Sequence, residues 1–387
     1  MRTRELTWYE FFAGGGMARI GLGERWRCTF ANEWCEKKAA TYKARFGACH
    51  ELKLKDVRKL TTQDLPGKPD LVWASFPCQD LSLAGNGAGL KGERSGAFAP
   101  FWKLIEGLVA EQRKPRIVVL ENVVGAITSH KGKDFATILS SISKCGYRVG
   151  PVIVDAAYFV PQSRPRLFII AVTDALVIPP ELRSLWPVRA WHPASLVKAH
   201  YKLPTSLREA WAWWKLPEPA VTVPKLSTLI EDEPAGVRWH SSEETARLIS
   251  LMSERNLGKL KDAQETGVRK IGTIYRRTRP AGKGTTSKKI QRAEVRFDEM
   301  SGCLRTPVGG SSRQIILVVE GESVRSRLLS PREAARLMGV PEDYPLPQNY
   351  NEAYHLFGDG LVVPVVSWLN EHLLLKLANI RTMQEAA

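Results

Sequence analysis

The sequence predicts an α/β fold: an open, mostly parallel sheet with helices on both faces, followed by a second, smaller domain. Three observations lead there. Over the first 175 residues, short apolar runs alternate with longer amphipathic stretches, the pattern of βαβ units. Two strand-like runs, 147–159 and 166–172, follow one another with no helix between them, which adds an antiparallel edge to a parallel sheet. From about residue 177 the alternation breaks, prolines become frequent, and tryptophans gather at 186, 191, 211, 213 and 214. A first domain ending near residue 185 is therefore expected, with a different organisation after it.

In order, the strands are expected at 7–13, 28–32, 70–75, 116–121 and 166–172. The intervening stretches 17–24, 36–46, 97–111 and 133–145 have helical periodicity. Further on, 330–338 reads as a capped helix, with Ser330 as N-cap, Pro331 in the first turn and Glu333 at N3. Residues 361–377 read as a closing helix, and no internal repeat is present.

With 387 residues, 44% hydrophobic and 25% charged, the chain is neither disordered nor fibrous. Its 56 Lys and Arg against 40 Asp and Glu leave a net +16, which favours a polyanionic partner, nucleic acid before an acidic membrane surface. The excess is concentrated at 255–296, where thirteen basic residues face three acidic ones; a phosphate-contacting surface is expected there. The tryptophans read as packing residues. No run of about 20 apolar residues predicts a membrane span, and the start lacks the apolar core of a signal peptide. The six cysteines form no Cys-x-x-Cys pair, so neither a zinc site nor a disulfide framework is expected. A reducing, cytoplasmic setting fits, in which a special cysteine is chemical rather than structural.

The unusual residues lie at strand ends, where open α/β sheets bind ligands. The first strand runs into Phe12-Ala13-Gly14-Gly15-Gly16, a turn that lets backbone approach a ligand. The second ends in Asn32-Glu33-Trp34, a carboxylate for ribose hydroxyls and an indole to lie against a purine. Glu33 follows Gly14 by 19 residues, the spacing of a ribose-binding acid. Asp56-Val57 offers a further acceptor and an apolar contact. The last glycine place of the dinucleotide fingerprint is Arg19, so a cofactor without a diphosphate, such as S-adenosylmethionine, fits better than a nicotinamide. The run 70–75 leads into Phe76-Pro77-Cys78-Gln79, where Pro77 ends the strand and places the Cys78 thiol in the ligand crevice. The next ends in Glu121-Asn122-Val123; a carboxyl after four apolar residues suits proton donation. Gln162-Ser163-Arg164-Pro165-Arg166 brings two guanidinium groups toward the same edge.

The order FAGGG, NEW, DV, SFPCQ, ENV, QSRPR, then CLRTPVGGSSRQ and FGDGLVVPV resembles the DNA cytosine-5 methyltransferases. The likeness covers most of the chain except about 186–297. It implies a Rossmann-like, S-adenosylmethionine-dependent catalytic domain over 1–185, a smaller target-recognition domain over 186–324, and a return of 325–387 to the first domain; no metal is expected. Cys78 would add as thiolate to cytosine C6, Glu121 would hydrogen-bond or protonate N3, and Arg166 would hold the base carbonyl, supported by Arg164 and Gln162. The target cytosine would be flipped out of the duplex. The resemblance assigns cofactor contacts to Phe12, Gly14, Gly16, Glu33, Trp34, Asp56, Val57, Pro77 and Asp359. DNA contacts would come from Gln79, Ser82, Gln162, Arg276, Arg277, Arg279, Arg305 and Arg313. The family commonly has aspartate at Glu10, glycine at Met17 and Gly-Asn-Ser near Asp359, which here places a carboxylate toward the cofactor's cationic end. The long basic region favours duplex DNA over RNA. A monomer is expected, cytoplasmic and nucleoid-associated, with any cognate restriction endonuclease acting separately.

Overall fold

The computed structural model describes residues 4–77, 95–280, 289–306 and 313–380. The chain alternates β1 (Leu6–Phe11), α1 (Met17–Leu22), β2 (Trp26–Glu33), α2 (Glu36–Phe46), β3 (Leu52–Leu54), β4 (Leu71–Ala74), α3 (Phe98–Ala110), β5 (Ile117–Val123), α4 (Lys133–Lys144), β6 (Tyr147–Asp155) and β7 (Pro165–Thr173). These strands form one sheet in the order β3-β2-β1-β4-β5-β7-β6. All pairings from β3 to β5 are parallel, and β7 is antiparallel to both neighbours. The antiparallel strand therefore lies one place in from the edge, and β6 closes the edge parallel to β5. Run 147–159 stops at Asp155, because Ala156–Tyr158 turns into a short 3-10 helix.

Strand order reverses at β1, with β2 and β3 on one side and β4 and β5 on the other. Such a switch point opens a crevice beyond the carboxyl ends of the strands. The core beneath it is apolar: Phe11, Val72, Val118, Phe101 and Ile105 are all fully buried.

After β7 come β8 (Arg183–Ser184), α5 (Ala194–Tyr201), α6 (Thr205–Glu209) and β9 (Trp213–Trp214), the last pairing with β8. Four of the five tryptophans pack here as expected, whereas Trp186 is 75% exposed. Trp214 Nε1 donates to Gly150 O at 2.7 Å, and a Cβ on Gly150 would meet that nitrogen at 2.0 Å. Trp191 packs against Trp368 with centroids 4.7 Å apart.

The chain divides into two compact units, Met1–Asp155 with Pro165–Ala220 and Val363–Ala387, and Ala156–Arg164 with Val221–Val362. The division falls at 220/221 and 362/363, whereas the resemblance implied 185/186 and 324/325; residues 186–220 join the first unit through the tryptophan contacts above. In the second unit, α7 (Ser242–Ser250) and α8 (Glu254–Glu265) precede β10 (Lys270–Pro280), β11 (Lys289–Arg296), β12 (Ile315–Glu320) and β13 (Ser323–Leu328). The strands form an antiparallel sheet, β11-β10-β12-β13, whose Ile274, Val295, Ile315 and Leu317 pack with Leu248 and Leu260 of the helices. Next, α9 (Pro331–Leu337) starts with the expected capping box between Ser330 and Glu333, and α10 (Tyr350–Asp359) follows.

The closing run is one continuous helical stretch in three segments: α11 (Val363–Leu369), a wider π turn at Asn370–Leu374, and α12 (Leu375–Ala378). It packs on α1 of its own unit. A Cβ on Gly21 would sit 2.5 Å from Val366 Cβ, and Asn370 takes the Trp26 indole N–H at 2.8 Å while donating to Leu22 O at 3.1 Å. The stretch Tyr350–Ala378 has the length and hydropathy of a membrane span, but 72% of its apolar window is buried inside the protein.

Candidate active site

Beyond β1 the backbone turns through three left-handed residues, Phe12 (φ 59°), Gly14 (φ 56°) and Gly16 (φ 79°). The conformation costs a phenylalanine roughly 1–2 kcal/mol, so the turn must be held by its surroundings. Ala13 N–H donates to Asn32 O at 2.9 Å. Glu33 takes the Gly14 N–H on one carboxylate oxygen at 2.7 Å, and those of Trp34 and Cys35 on the other at 2.9 and 2.8 Å. One side chain thus ties the ends of β1 and β2 together. At Gly16 a Cβ would lie 2.3 Å from Phe46 Cε2, whereas at Gly14 it would meet nothing within 4 Å. Gly16 is glycine for packing; Gly14 borders open space.

A buried polar network supports this turn from below. Arg19 donates to Glu51 at 2.6 Å and Tyr42 at 3.1 Å, its guanidinium 4.3 Å from the Phe46 ring centroid. Tyr42 donates to Glu10 at 3.3 Å. Burial pushes the Glu10 carboxyl up to about 8, against the pull of Arg19.

The Trp34 indole is 66% exposed, an unusual placement for so large an apolar surface. Glu33 uses three of about four lone-pair sites on backbone, which leaves one for a hydroxyl. An open flat ring, a carboxylate with spare capacity and the unfilled space at Gly14 fit the adenosine part of S-adenosylmethionine. Asp56 departs from expectation: it caps the Val57–Lys59 turn through Arg58 N at 2.9 Å and binds the Arg58 guanidinium at 2.6–3.1 Å. That pairing lowers its pKa and occupies the acceptor. Val57 is buried. Asn32, which sequence reasoning passed over, bonds Lys53 O and Lys55 O at 3.2 and 2.7 Å and so places this segment; a buried Asn at a strand's end was the available signal.

On the other side of the switch point, β4 lies beside β5 with Ala74 opposite Leu120. Phe76 O accepts from Asn122 Nδ2 at 3.2 Å, a second contact that the sequence reading missed. Pro77 is the last described residue here, and Cys78, Gln79 and Ser82 lie outside the described residues. Glu121 is 8% exposed and paired with Arg166 Nε at 3.2 Å. The β5–β7 register, with Val123 opposite Arg166, makes the two a diagonal pair on one face. The carboxylate and the guanidinium therefore meet at the carboxyl end of β5, next to the strand that leads to Cys78.

The remaining predicted residues belong to the second unit. Gln162 is corrected from a DNA contact to a brace: it is fully buried, its amide donating to Leu337 O at 2.8 Å and accepting from Leu304 N at 3.1 Å. Arg164, 2% exposed, donates to Leu304 O at 2.8 Å and to Gly358 O and Gly360 O at 2.9 and 2.7 Å. It caps the carboxyl end of α10, a supporting role. Asp359 is exposed at that helix end. Arg276, Arg277, Arg279 and Arg305 are exposed. Arg313 bonds Asn351 and lies 5.8 Å from the Tyr350 ring.

The model of the family described as C-5 cytosine-specific DNA methylase matches residues 6–374. The chain belongs to that family. This makes it a DNA cytosine-5 methyltransferase, with DNA as substrate and, by family, S-adenosylmethionine as methyl donor. Among curated relatives, the enzyme is 27% identical to the type II methyltransferase M.BsuFI of Bacillus subtilis over 96% of this chain and 74% of that one. It is 26% identical to M.HpaII of Haemophilus parainfluenzae, over 97% and 91%. Among solved structures it resembles the Entamoeba histolytica methyltransferase EhMeth (TM-score 0.60, 15% identity, 97% and 99% covered) and S. pombe Dnmt2 (0.57, 18%, 97% and 100%). At those identities the structural likeness speaks for the fold.

Proposed function

We propose that the enzyme methylates C5 of a flipped-out cytosine in a specific duplex sequence, through a covalent bond between Cys78 and C6. The observation that carries this reading is the Glu121–Arg166 pair, where the carboxyl end of β5 meets the amino end of the antiparallel β7, with Asn122 fixing the carbonyl of Phe76 two residues before Cys78. Cytosine C5 is a poor nucleophile until the ring's aromaticity is broken. Addition of the Cys78 thiolate at C6 does that, and Glu121 at N3 takes up the charge pushed into the ring. Arg166 holds Glu121 in place and presents its guanidinium to the base carbonyl. Loss of the C5 proton and expulsion of Cys78 restore the base. S-adenosylmethionine, when bound, supplies the electrophilic methyl group; Phe12, Gly14, Gly16, Glu33, Trp34, Val57 and Pro77 would hold it.

Target recognition is assigned to the part of 186–324 that lies in the second unit, residues 221–324, with Arg276, Arg277, Arg279, Arg305 and Arg313 toward DNA, and Gln79 and Ser82 beside the target base. The enzyme works as a monomer in the cytoplasm, at the nucleoid, and any partner endonuclease cuts separately. A tritiated-methyl transfer assay on duplex DNA and on tRNA tests the reading. Label in DNA alone is expected; label in tRNA alone contradicts it.

A further inference from the structure

The β10–β11 hairpin carries an electrostatic arrangement that sheet stability does not explain. Its register sets Arg277 directly opposite Arg292, with Arg279 opposite Ile290 and Tyr275 opposite Glu294. Alternation along the strands puts Tyr275, Arg277 and Arg279 on one face with Arg292 and Glu294. Arg276 lies on the other face with Ile274, Ala293 and Val295, the side that packs on the helices. Like charges directly opposite one another weaken a sheet, yet this face opposes two arginines and adds a third. Glu294 is the only acidic residue between 270 and 296. Its carboxylate takes Arg279 at 2.6 Å on one oxygen and Arg277 at 3.3 Å on the other. Arg292 has no ion-pair partner among the described residues. Tyr275 anchors the face: its hydroxyl donates to Cys303 O at 2.6 Å, and the Arg277 guanidinium lies 5.9 Å from its ring.

We propose that this face is the ridge that takes duplex DNA phosphates, and that Glu294 is a specificity-determining residue acting as an internal competitor for them. The carboxylate cancels one of three charges and holds two guanidiniums to itself, so a phosphate must displace it to bind. Nonspecific duplex, which offers phosphates alone, gains least from that exchange. A cognate site, which adds base contacts, gains enough to drive it. The inference rests on the DNA-methyltransferase reading above and narrows the predicted cluster to Arg277, Arg279 and Arg292, leaving Arg276 aside.

The test is fluorescence anisotropy of the full-length enzyme with a labelled duplex of arbitrary sequence, across a salt series. Glu294→Gln is expected to tighten nonspecific binding on the order of fivefold to tenfold at about 0.1 M salt, and to steepen log affinity against log salt by up to about 0.9. Arg292→Gln is expected to weaken binding and flatten the slope by a similar amount. Arg276→Gln is expected to change the slope less than Arg292→Gln. Unchanged or weaker binding by Glu294→Gln at wild-type thermal stability overturns the competitor role. Should that variant fail to fold, Arg292→Gln, which has no ion pair to lose, decides the ridge: an unaltered slope overturns it. Methyl transfer by the wild type separates the two levels. No transfer to any duplex sinks the functional reading; normal transfer with unresponsive variants sinks this inference alone.

Discussion

Glu33 and Trp34 are adjacent, and the structure predicts opposite signatures for their loss. The Glu33 carboxylate receives three backbone N–H groups at 2.7–2.9 Å and is 4% exposed. In Glu33→Gln one oxygen becomes an amide that faces a donor, so one or two of these bonds are lost. Hydrogen bonds to a charged group contribute about 1.5–3 kcal/mol each, which puts the cost to stability at about 2–5 kcal/mol. The strained turn at Phe12–Gly16 should loosen with it and S-adenosylmethionine affinity should fall at least tenfold, since 1.4 kcal/mol is a factor of ten. Trp34, by contrast, is two-thirds exposed, so Trp34→Ala should alter stability by no more than about 0.5 kcal/mol. Stacking on a base is worth about 1–3 kcal/mol, hence a rise in dissociation constant of roughly 5- to 150-fold. Urea denaturation and titration calorimetry read the two quantities separately. Wild-type stability in Glu33→Gln, or wild-type cofactor affinity in Trp34→Ala, refutes the argument.

Three further outcomes follow from the same geometry. Glu121→Gln keeps the shape and a hydrogen bond but removes the acid, so kcat should fall by about 10²–10⁴ with DNA affinity little changed; an unaltered kcat excludes the role. Gly16→Ala forces a Cβ against Phe46 in a left-handed conformation, and should lower the Tm and weaken cofactor binding together, whereas an unshifted Tm contradicts the packing argument. His192 Nδ1 accepts the Val188 N–H at 2.9 Å, and burial pushes its pKa down to about 4. Because the unfolded chain binds the proton first, this group's stabilisation is full above the unfolded pKa near 6.5 and is lost as pH falls toward 4. Between pH 7.5 and 5 the loss is about 2 kcal/mol, and in urea denaturation His192→Gln should lose that much less than wild type; an equal loss in both is the contrary result.

The sequence made legible whatever depends on local pattern. The apolar run before Glu121 marked β5, and Ser330, Pro331 and Glu333 marked the start of α9. Strand β3 escaped because it has three residues and only Leu52 is buried. The second sheet escaped because the charges of β10 and β11 mask the alternation of their buried residues, such as Ile274 with Val295. The spacing that drew attention to Glu33 corresponds in the structure to a direct contact with the Gly14 N–H. Asp56 misled because its partner Arg58 lies only two residues away and claims the carboxylate. Gln162 misled for the opposite reason: its acceptor, Leu337 O, is 175 residues distant, and no local pattern reports such a contact.

The central claim is that Cys78 bonds covalently to the target base. A duplex library containing 5-fluorocytosine, incubated with the enzyme and S-adenosylmethionine, tests it most directly, because fluorine at C5 blocks the elimination that frees the enzyme. The account predicts a denaturation-resistant protein–DNA band with wild type, absent in Cys78→Ala although that variant still binds cofactor. A band that persists in Cys78→Ala, or methyl transfer by that variant near the wild-type rate, contradicts it.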